Sequence, residues 1–354
     1  MRWFHSGQTR ALARRCLALT LVCLGVGFLT TPTQAQPTRS AAAASCQDVY
    51  FPVTLTLVPQ RMYGKLCVPE GGARTVHVMI PGGTYNSSYW DIGFEPETRS
   101  YRRAMNDAGY ATLALDRLGT GRSTVPLSLL LTAITEAEVV HEVVQQLRSG
   151  AQGPRFDKII LGGHSFGSGV AIIEAATFRD VDGVLVTGLA HRINALGAAA
   201  VFAATLPVPL DPKFSRTGHD LAYITTLPGT RYDIFHKPGP KIDGAIAYDE
   251  TTKDTSVHTQ AVDLFPVAVI LPYSRLIDVP VMVALGQDSV FCGALATDCS
   301  SGEAIKLTES LYYSAAADLH AYALPGYGHV INYAPNAPQF FRAVEKWADR
   351  KVGR

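Results

Sequence analysis

A serine with a glycine two residues away on either side is the first candidate for chemistry. The segment Gly163-His164-Ser165-Phe166-Gly167 follows an apolar run and opens a helix-like run. In a sharp strand-to-helix turn such a serine stands clear of the sheet edge, and glycines at these positions avoid a clash. The pattern predicts that Ser165 is a nucleophile. The alternatives are a turn without a chemical role or a phosphate loop, but the lysine that a phosphate loop needs is absent.

A serine hydroxyl needs a general base, which in turn is held by an acid. His329 follows the last predicted strand and is the predicted base. Asp288 follows the predicted strand 279–285 and is the predicted acid; the alternative is a loop aspartate that only stabilises its own turn. Rival acids are Asp298, between two cysteines, and Asp180 or Asp182, ahead of another strand.

Backbone amides are expected to bind the negative charge that develops on the carbonyl oxygen under attack. One is the amide of Phe166, directly after the nucleophile. The other is assigned to Gly83, in the Pro81-Gly82-Gly83-Thr84 loop after the predicted strand 75–80, with Thr84 as the alternative donor. The same loop read as a mere tight turn is the alternative interpretation.

Aromatic and polar residues near these motifs are expected to contact the substrate. The predicted contacts are Thr84, Tyr85, Trp90, His164 and Tyr327. Ordinary core packing is the alternative role for the aromatic residues.

Strands and helices alternate along most of the chain. Predicted strands cover 52–59, 63–69, 75–80, 111–115, 158–162, 183–186, 279–285 and 319–324, and predicted helices cover 97–108, from about 136, 165–177, 303–315 and 338–350. Thr135 and Glu138 have the spacing of a capping box at the start of the second helix. This alternation predicts an α/β fold with a mostly parallel central sheet and helices on both faces.

The alternation stops between the two halves of the predicted core. Residues 190–277 carry eight prolines and an apolar helix-like run at 193–205. A long interruption within an α/β pattern indicates a functional insertion, interpreted as a cap over the site. The predicted organisation is a signal peptide at 1–35, a linker at 36–45, core at 46–189 and 278–354, and the cap at 190–277.

The chain resembles the α/β-hydrolase fold superfamily from about Thr54 to its C-terminus. In that family the chain order is nucleophile, acid and histidine. Residues 116–123 also resemble the structural D-x-x-G-x-G-x-S loop of capped members. Two departures are Pro81, where many members have histidine, and Asp288, which lies one residue closer to Gly286 than in the commonest form of its loop. A serine nucleophile argues against the dehalogenase and epoxide-hydrolase branches.

The N-terminus predicts export. Four arginines precede the apolar run 16–30, and small residues follow it up to Ala35. This order is typical of a signal peptide, here cleaved near Ala35, and predicts a secreted or periplasmic protein. The alternative, a membrane anchor, requires at least about 18 apolar residues. The sequence gives no prediction of which export pathway is used.

Charge and cysteine content limit the kinds of partner, disulfide and metal that the sequence predicts. The formal net charge of +1 becomes −3 without the signal peptide, so a nucleic-acid partner is not expected. Four cysteines remain, and proximity favours the pairs Cys46–Cys67 and Cys292–Cys299 over the other pairings or four free thiols. No histidine has zinc-ligand spacing from either pair, so neither a metal nor a cofactor is predicted.

These features predict hydrolysis of a small, hydrophobic ester through an acyl-enzyme. A peptidase, lactonase or thioesterase using the same residues is the alternative, and a non-catalytic binding protein is a third interpretation. A peptidase would place acids in the cap, where the candidates are Asp233, Asp243, Asp249, Glu250 and Asp254. Stable membrane insertion is not expected, and the oligomeric state is left open.

Overall fold

An eight-stranded sheet organises the part of the chain that the computed structural model describes, residues 44–271, 273–293 and 295–354. Its strands are β1 (Ala44–Leu55), β2 (Val58–Pro69), β3 (Thr75–Ile80), β4 (Ala111–Leu115), β5 (Lys158–His164), β6 (Gly183–Thr187), β10 (Val281–Gly286) and β11 (His320–Leu324). A second, three-stranded sheet holds β7 (Thr205–Pro207), β8 (Tyr223–Thr226) and β9 (Ser256–Val257).

The large sheet has the strand order β1-β2-β4-β3-β5-β6-β10-β11. β1 pairs antiparallel with β2, and β2 pairs antiparallel with β4, whereas all other neighbours are parallel. The carboxyl ends of β3, β5, β6, β10 and β11 therefore meet along one edge, which is where open parallel sheets bind ligands. The predicted mostly parallel α/β sheet is confirmed.

Nine α-helices lie between and beside the strands of the described residues. They are α1 (Pro96–Arg99), α2 (Tyr101–Asp107), α3 (Ala133–Ser149), α4 (Phe166–Phe178), α5 (Ala195–Ala203), α6 (Asp243–Thr252), α7 (His258–Leu264), α8 (Gly302–Glu309) and α9 (Ala337–Lys351). None of the described helices is long and apolar enough to cross a membrane.

Both faces of the central strands β3, β4, β6 and β10 are buried, as the apolar composition of these strands requires. In β3, Val76, Val78 and Ile80 pack into a core shared with α3 and α4, while Met79 packs into a second core shared with α2 and α9. Side chains alternate between the faces of a strand, so a strand covered on both sides is apolar throughout. The helices on the two faces thereby hold the carboxyl ends of the strands in place.

Two helix starts differ from the sequence-based prediction. The predicted helix 97–108 is broken at Ser100, whose hydroxyl caps α2 by accepting from the Arg103 amide. α3 begins at Ala133, a turn before the predicted start, because Thr132 forms the capping box with Thr135. The Asp263 carboxylate also accepts from the first amides of α3. This acid comes from α7, so local sequence could not reveal it.

The segment between β6 and β10 covers the stretch for which the sequence predicts an insertion. It contains the small sheet, α5, α6 and α7, and two π-helical segments at Tyr232–His236 and Phe265–Ile270. The described residues from Ala44 to Arg354 form one compact unit, so this segment packs onto the rest of the chain. The predicted signal peptide lies outside the described residues.

Candidate active site

Ser165 occupies the turn between β5 and α4. Its φ of 51° and ψ of −118° are rare for a residue with a side chain and cost about 1–3 kcal/mol. A Cβ atom on Gly163 would overlap the backbone of Gly167, and one on Gly167 would lie 2.5 Å from the Ile80 carbonyl oxygen. Backbone packing therefore requires both glycines. The turn has the geometry that raises a serine nucleophile above a sheet.

His329 lies in the loop between β11 and α9 and lines the same cavity as Ser165. Its amide donates to the Phe235 carbonyl oxygen at 2.7 Å. Its ring centroid lies 4.6 Å from that of Phe291 and 4.6 Å from that of His164. Burial lowers the pKa of His329 to about 3. The imidazole is therefore neutral and able to accept a proton.

The predicted acid Asp288 does not pair with His329, so the structure corrects this assignment. The Asp288 side chain is exposed and lines an outer cavity with Gln287 and Asp298. Among the described residues, no carboxylate oxygen lies within 4.0 Å of a ring nitrogen of His329. The Nδ1 atom of His329 instead meets the Ser289 hydroxyl at 3.5 Å.

The turn after β10 explains the correction. The Ser289 amide donates to the Gly286 carbonyl oxygen at 3.1 Å, and the Asp288 amide donates to the Tyr327 carbonyl oxygen at 3.1 Å. These bonds turn residue 289 inward and leave residue 288 outside. Ser289 thus occupies the position at which the commonest form of this loop carries its acid.

The amides expected to bind an oxyanion differ in their availability. The Thr84 amide donates to the Thr255 carbonyl oxygen at 3.2 Å. The Gly83 amide has no acceptor among the described residues, and a Cβ atom built there would lie 3.9 Å from the Phe166 Cβ. Phe166 is the first residue of α4, so its amide has no acceptor within the helix. The free amides are those of Gly83 and Phe166.

A cavity of about 1080 Å³, counting the space at its mouth, opens above Ser165. Two of the predicted substrate contacts, Thr84 and Tyr85, line it. Much of its remaining wall is apolar and comes from the insertion: Ile193, Val201, Phe202, Ile224, Phe235, Val257, Leu264 and Phe265. Phe291 and Leu285 of the core complete this apolar surface. The described lining includes no aspartate, glutamate, lysine or arginine side chain.

Three predicted substrate contacts, Trp90, His164 and Tyr327, do not line the cavity. Trp90 is fully buried in the core. His164 is also fully buried, with its ring stacked on that of Tyr89 at a centroid distance of 4.3 Å. The Tyr327 hydroxyl bonds to His236 at 2.8 Å. All three side chains are buried in the protein interior and lie outside the cavity wall.

A buried ion pair beneath the cavity was not predicted. Arg231 donates to Asp249 at 2.9 Å and to the Thr84 hydroxyl at 3.1 Å, and His236 bonds to Asp249 at 2.8 Å. Burial opposes ionisation of Asp249, but the Arg231 charge and the His236 hydrogen bond outweigh it and lower the pKa of Asp249 to about 2. The pair links the insertion to the loop that carries Gly83. No local motif marks these residues, since they are brought together by the fold.

A second serine-histidine-acid arrangement lies away from the cavity. His191 bonds to Glu309 at 2.6 Å and to the Ser274 hydroxyl at 2.8 Å. Ser274 is fully buried, and its hydroxyl also donates to the Tyr312 carbonyl oxygen at 2.6 Å. The hydroxyl is neither accessible nor free, so this group is structural.

Both predicted cysteine pairs are disulfides in the structure. Cys46 and Cys67 are direct partners across β1 and β2. Cys292 and Cys299 close the loop that follows Ser289, and Cys292 lines the cavity. The second disulfide therefore bounds the segment that carries Phe291.

The strand order of the mostly parallel sheet and the serine turn after β5 are those of an α/β-hydrolase fold. The chain belongs to the alpha/beta hydrolase family, whose model matches residues 78–344. Family membership and architecture support a hydrolase. No protein with a curated description matches the chain by sequence.

Solved structures share this architecture at low sequence identity. A thermophilic esterase from Thermogutta terrifontis is 15% identical, with a TM-score of 0.59 over 86% of this chain and 98% of the esterase. Carboxylesterase CesB from Bacillus subtilis is 12% identical, with a TM-score of 0.58 over 87% and 93%. An enol-lactonase from Burkholderia xenovorans is 16% identical, with a TM-score of 0.54 over 81% and 96%. These likenesses establish the fold alone.

Proposed function

We propose that the chain is a serine hydrolase that cleaves hydrophobic carboxylic esters through an acyl-enzyme on Ser165. The observation that carries this proposal is that Ser165 and His329 open into one uncharged cavity beside the free amide of Gly83. An ester is neutral, and its acyl and alcohol groups gain free energy when apolar surface leaves water.

The reaction follows from these groups. The Nε2 atom of His329 takes the Ser165 proton as the hydroxyl oxygen attacks the ester carbonyl carbon. The amides of Gly83 and Phe166 bind the oxyanion, and its collapse breaks the bond to the alcohol oxygen, which leaves with the proton from His329. Water then attacks the acyl-enzyme by the same route, releasing the acid and restoring Ser165.

The Ser289 hydroxyl is the proposed partner of the other ring nitrogen. Accepting from the Nδ1–H of His329 leaves Nε2 unprotonated and directed to the reaction. A hydroxyl stabilises the imidazolium less than a carboxylate does, because it carries no charge. Ser289 is therefore a positioning residue in a weaker version of the usual triad.

The charge distribution favours neutral substrates over peptides with a free amine. None of the cap acids considered for a peptidase lines the cavity. Asp249 is paired with Arg231, and Asp254 accepts from Asn86 and from the Gly121 amide. A lactone is an internal ester, so it remains within the proposed substrate class.

The two disulfides support an exported protein, because such bonds persist in oxidising compartments. They agree with the proposed signal peptide. Expression with residues 1–35 in a bacterial host, followed by fractionation and mass spectrometry of the N-terminus, tests this. Accumulation of uncleaved chain in the cytoplasm would contradict export.

The nucleophile is tested with a fluorophosphonate probe, which labels activated serines. Wild type should be labelled, and Ser165→Ala should not, whereas Ser274→Ala should label as wild type does. Absence of labelling in folded wild type would instead support a non-catalytic protein. A chain-length series of p-nitrophenyl esters, compared with lactones, acyl thioesters and aminoacyl anilides, then separates the substrate classes. We expect the highest kcat/KM for esters.

A further inference from the structure

We infer that His141, Glu174 and Asp180 form a site for a divalent cation of the zinc type between α3 and α4. His141 lies on α3, Glu174 on α4 and Asp180 two residues beyond the end of α4. One ligand atom from each residue lies within 4.8 Å of the other two. Glu174 is nine residues along the chain from Ser165, or about 13 Å along the helix axis. The site is therefore distinct from the catalytic cavity.

The carboxylate of Glu174 is the observation that points to a ligand. Its side chain is 0% exposed, and neither of its oxygens has a hydrogen-bond partner among the described residues. Oδ1 of Asp180 is likewise buried without a partner. Buried carboxylates that make no hydrogen bonds are costly, and a cation satisfies them directly. His141 provides the third ligand, with its Nδ1 atom 3.8 Å from Glu174 and 2.8 Å from Asp180.

The spacing fits a small tetrahedral ion after slight movement. Bonds of about 2.0 Å to a tetrahedral centre place ligand atoms about 3.3 Å apart. The observed separations of 2.8 and 3.8 Å lie on either side of that value. Stacking of the His141 ring on Phe178, at a centroid distance of 3.9 Å, sets its direction. The Gln145 amide also donates to Asp180 at 2.5 Å and orients that carboxylate, as outer-shell residues do in metal sites.

The chemical types of the three ligand atoms favour zinc over other divalent cations. One imidazole nitrogen with two carboxylates suits zinc, whereas calcium and magnesium prefer oxygen ligands alone. His141 and Asp180 are partly exposed, at 28% and 17% of their side chains, which leaves a route for the ion and for a water as fourth ligand. No motif indicated this site in the sequence, because α3 and α4 are joined through a strand and bring their ligands together only in the fold.

The competing arrangement is a protonated His141 held between two acids. The carboxylate of Glu174, 3.8 Å from Nδ1 of His141, raises the pKa of His141, and burial raises the pKa of Glu174 to about 8. Nearby, Arg148 donates to the Asp180 carbonyl oxygen, and Arg179 pairs with Asp278 at 3.8 Å.

The test uses the full exported chain, dialysed against a chelator and titrated with Zn²⁺ alone. Calorimetry and metal analysis after gel filtration should give one ion per chain, and the melting temperature should rise with zinc. Glu174→Gln keeps the shape of the side chain and should weaken zinc binding at least tenfold, as should His141→Ala. Glu138→Gln changes an exposed acid on the same helix and should bind as wild type does.

Three results would overturn the inference. The first is that wild type takes up no zinc at micromolar concentration. The second is that Glu174→Gln binds zinc with unchanged affinity. The third is that the bound ion is lost in His329→Ala but not in His141→Ala. The last would place zinc in the catalytic cavity. Ester hydrolysis by Glu174→Gln should match wild type, so the outcome does not depend on the proposed function.

Discussion

The Ser289 hydroxyl lies 3.5 Å from Nδ1 of His329, at the position where a serine hydrolase usually has a carboxylate. Asp288, the adjacent acid in sequence, faces the exterior. His329, the proposed general base, is thus buried among aromatic rings with a neutral partner. In the proposed mechanism the Ser289 hydroxyl orients this imidazole, while burial lowers its pKa.

Substitution of Ser289 should lower the rate of ester hydrolysis, whereas substitution of the adjacent Asp288 should not. Ser289→Ala should lower kcat/KM for a p-nitrophenyl ester about 2- to 10-fold, since a neutral hydrogen bond contributes about 0.5–1.5 kcal/mol. Asp288→Asn should stay within about 2-fold of wild type, because an exposed group away from the site contributes little. A 100-fold loss of kcat/KM in Asp288→Asn would show that Asp288 acts as the acid.

Introducing the missing carboxylate should improve the base. Ser289→Asp places an anion beside His329 and should raise kcat about tenfold or more, since removing the acid from a serine protease triad costs about 10⁴. Ser289→Asn has a similar volume without the charge and serves as the control. Equal rates in the two variants would show that charge at this position does not assist the reaction.

The pH profile should reflect the burial of His329. Its pKa of about 3 in the folded chain lies below the ordinary 6.5, so the base stays neutral well into the acid range. The decline of kcat/KM on the acid side should begin only below about pH 5. Ser289→Asp should shift this decline to higher pH. An acid limb at pH 6.5 or above in wild type would contradict the buried, unpaired state.

Stability should change in the same pH window. Because the folded state holds His329 neutral while the unfolded chain binds a proton below pH 6.5, this residue reduces stability as pH falls from 6.5 toward 3. The slope of unfolding free energy against pH should therefore be smaller in His329→Phe, which cannot titrate. Urea unfolding at pH 7, 5.5 and 4.5 measures the difference.

The Arg231–Asp249 pair should matter for both stability and rate. Asp249→Asn leaves a buried guanidinium without its counter-ion and should cost about 3–5 kcal/mol. It should also lower kcat, since Arg231 holds Thr84 next to Gly83. The double variant Arg231→Met/Asp249→Leu should lose less stability than either single change. Lys237→Met removes an exposed pair with Asp233 and should cost at most about 1 kcal/mol. Comparable losses in Lys237→Met and Asp249→Asn would contradict a special role for the buried pair.

Removal of either disulfide should lower stability, but only removal of Cys292–Cys299 should also lower kcat. Removing Cys46–Cys67 by double alanine substitution should lower the unfolding free energy by about 3 kcal/mol and leave kcat unchanged, because it ties two strands far along the sheet from Ser165. Removing Cys292–Cys299 should lower kcat as well, since Ser289 and Phe291 precede that bridge. Thermal melts and ester kinetics on both variants provide the comparison, and equal kinetics would contradict the second expectation.

Local sequence predicted the features that depend on neighbours along the chain. The strands β3 and β4 were predicted to the residue, because apolar runs bounded by turn residues identify buried strands. The serine turn and the two cysteine pairs were likewise recognised from spacing. Helix starts were less certain, since α3 is capped in part by Asp263 from a distant helix.

The amino-acid sequence alone determined that Ser165 stands at a strand-to-helix turn and that a histidine follows the last strand, because these depend on local backbone requirements. Tertiary structure decided that Ser289 rather than Asp288 meets His329, since one residue of turn geometry reverses which side chain faces inward. It also decided the Arg231–Asp249 pair and the His141–Glu174–Asp180 cluster, whose members are distant in the chain. Buried charges find partners through the packing of whole elements, and no local pattern encodes that packing.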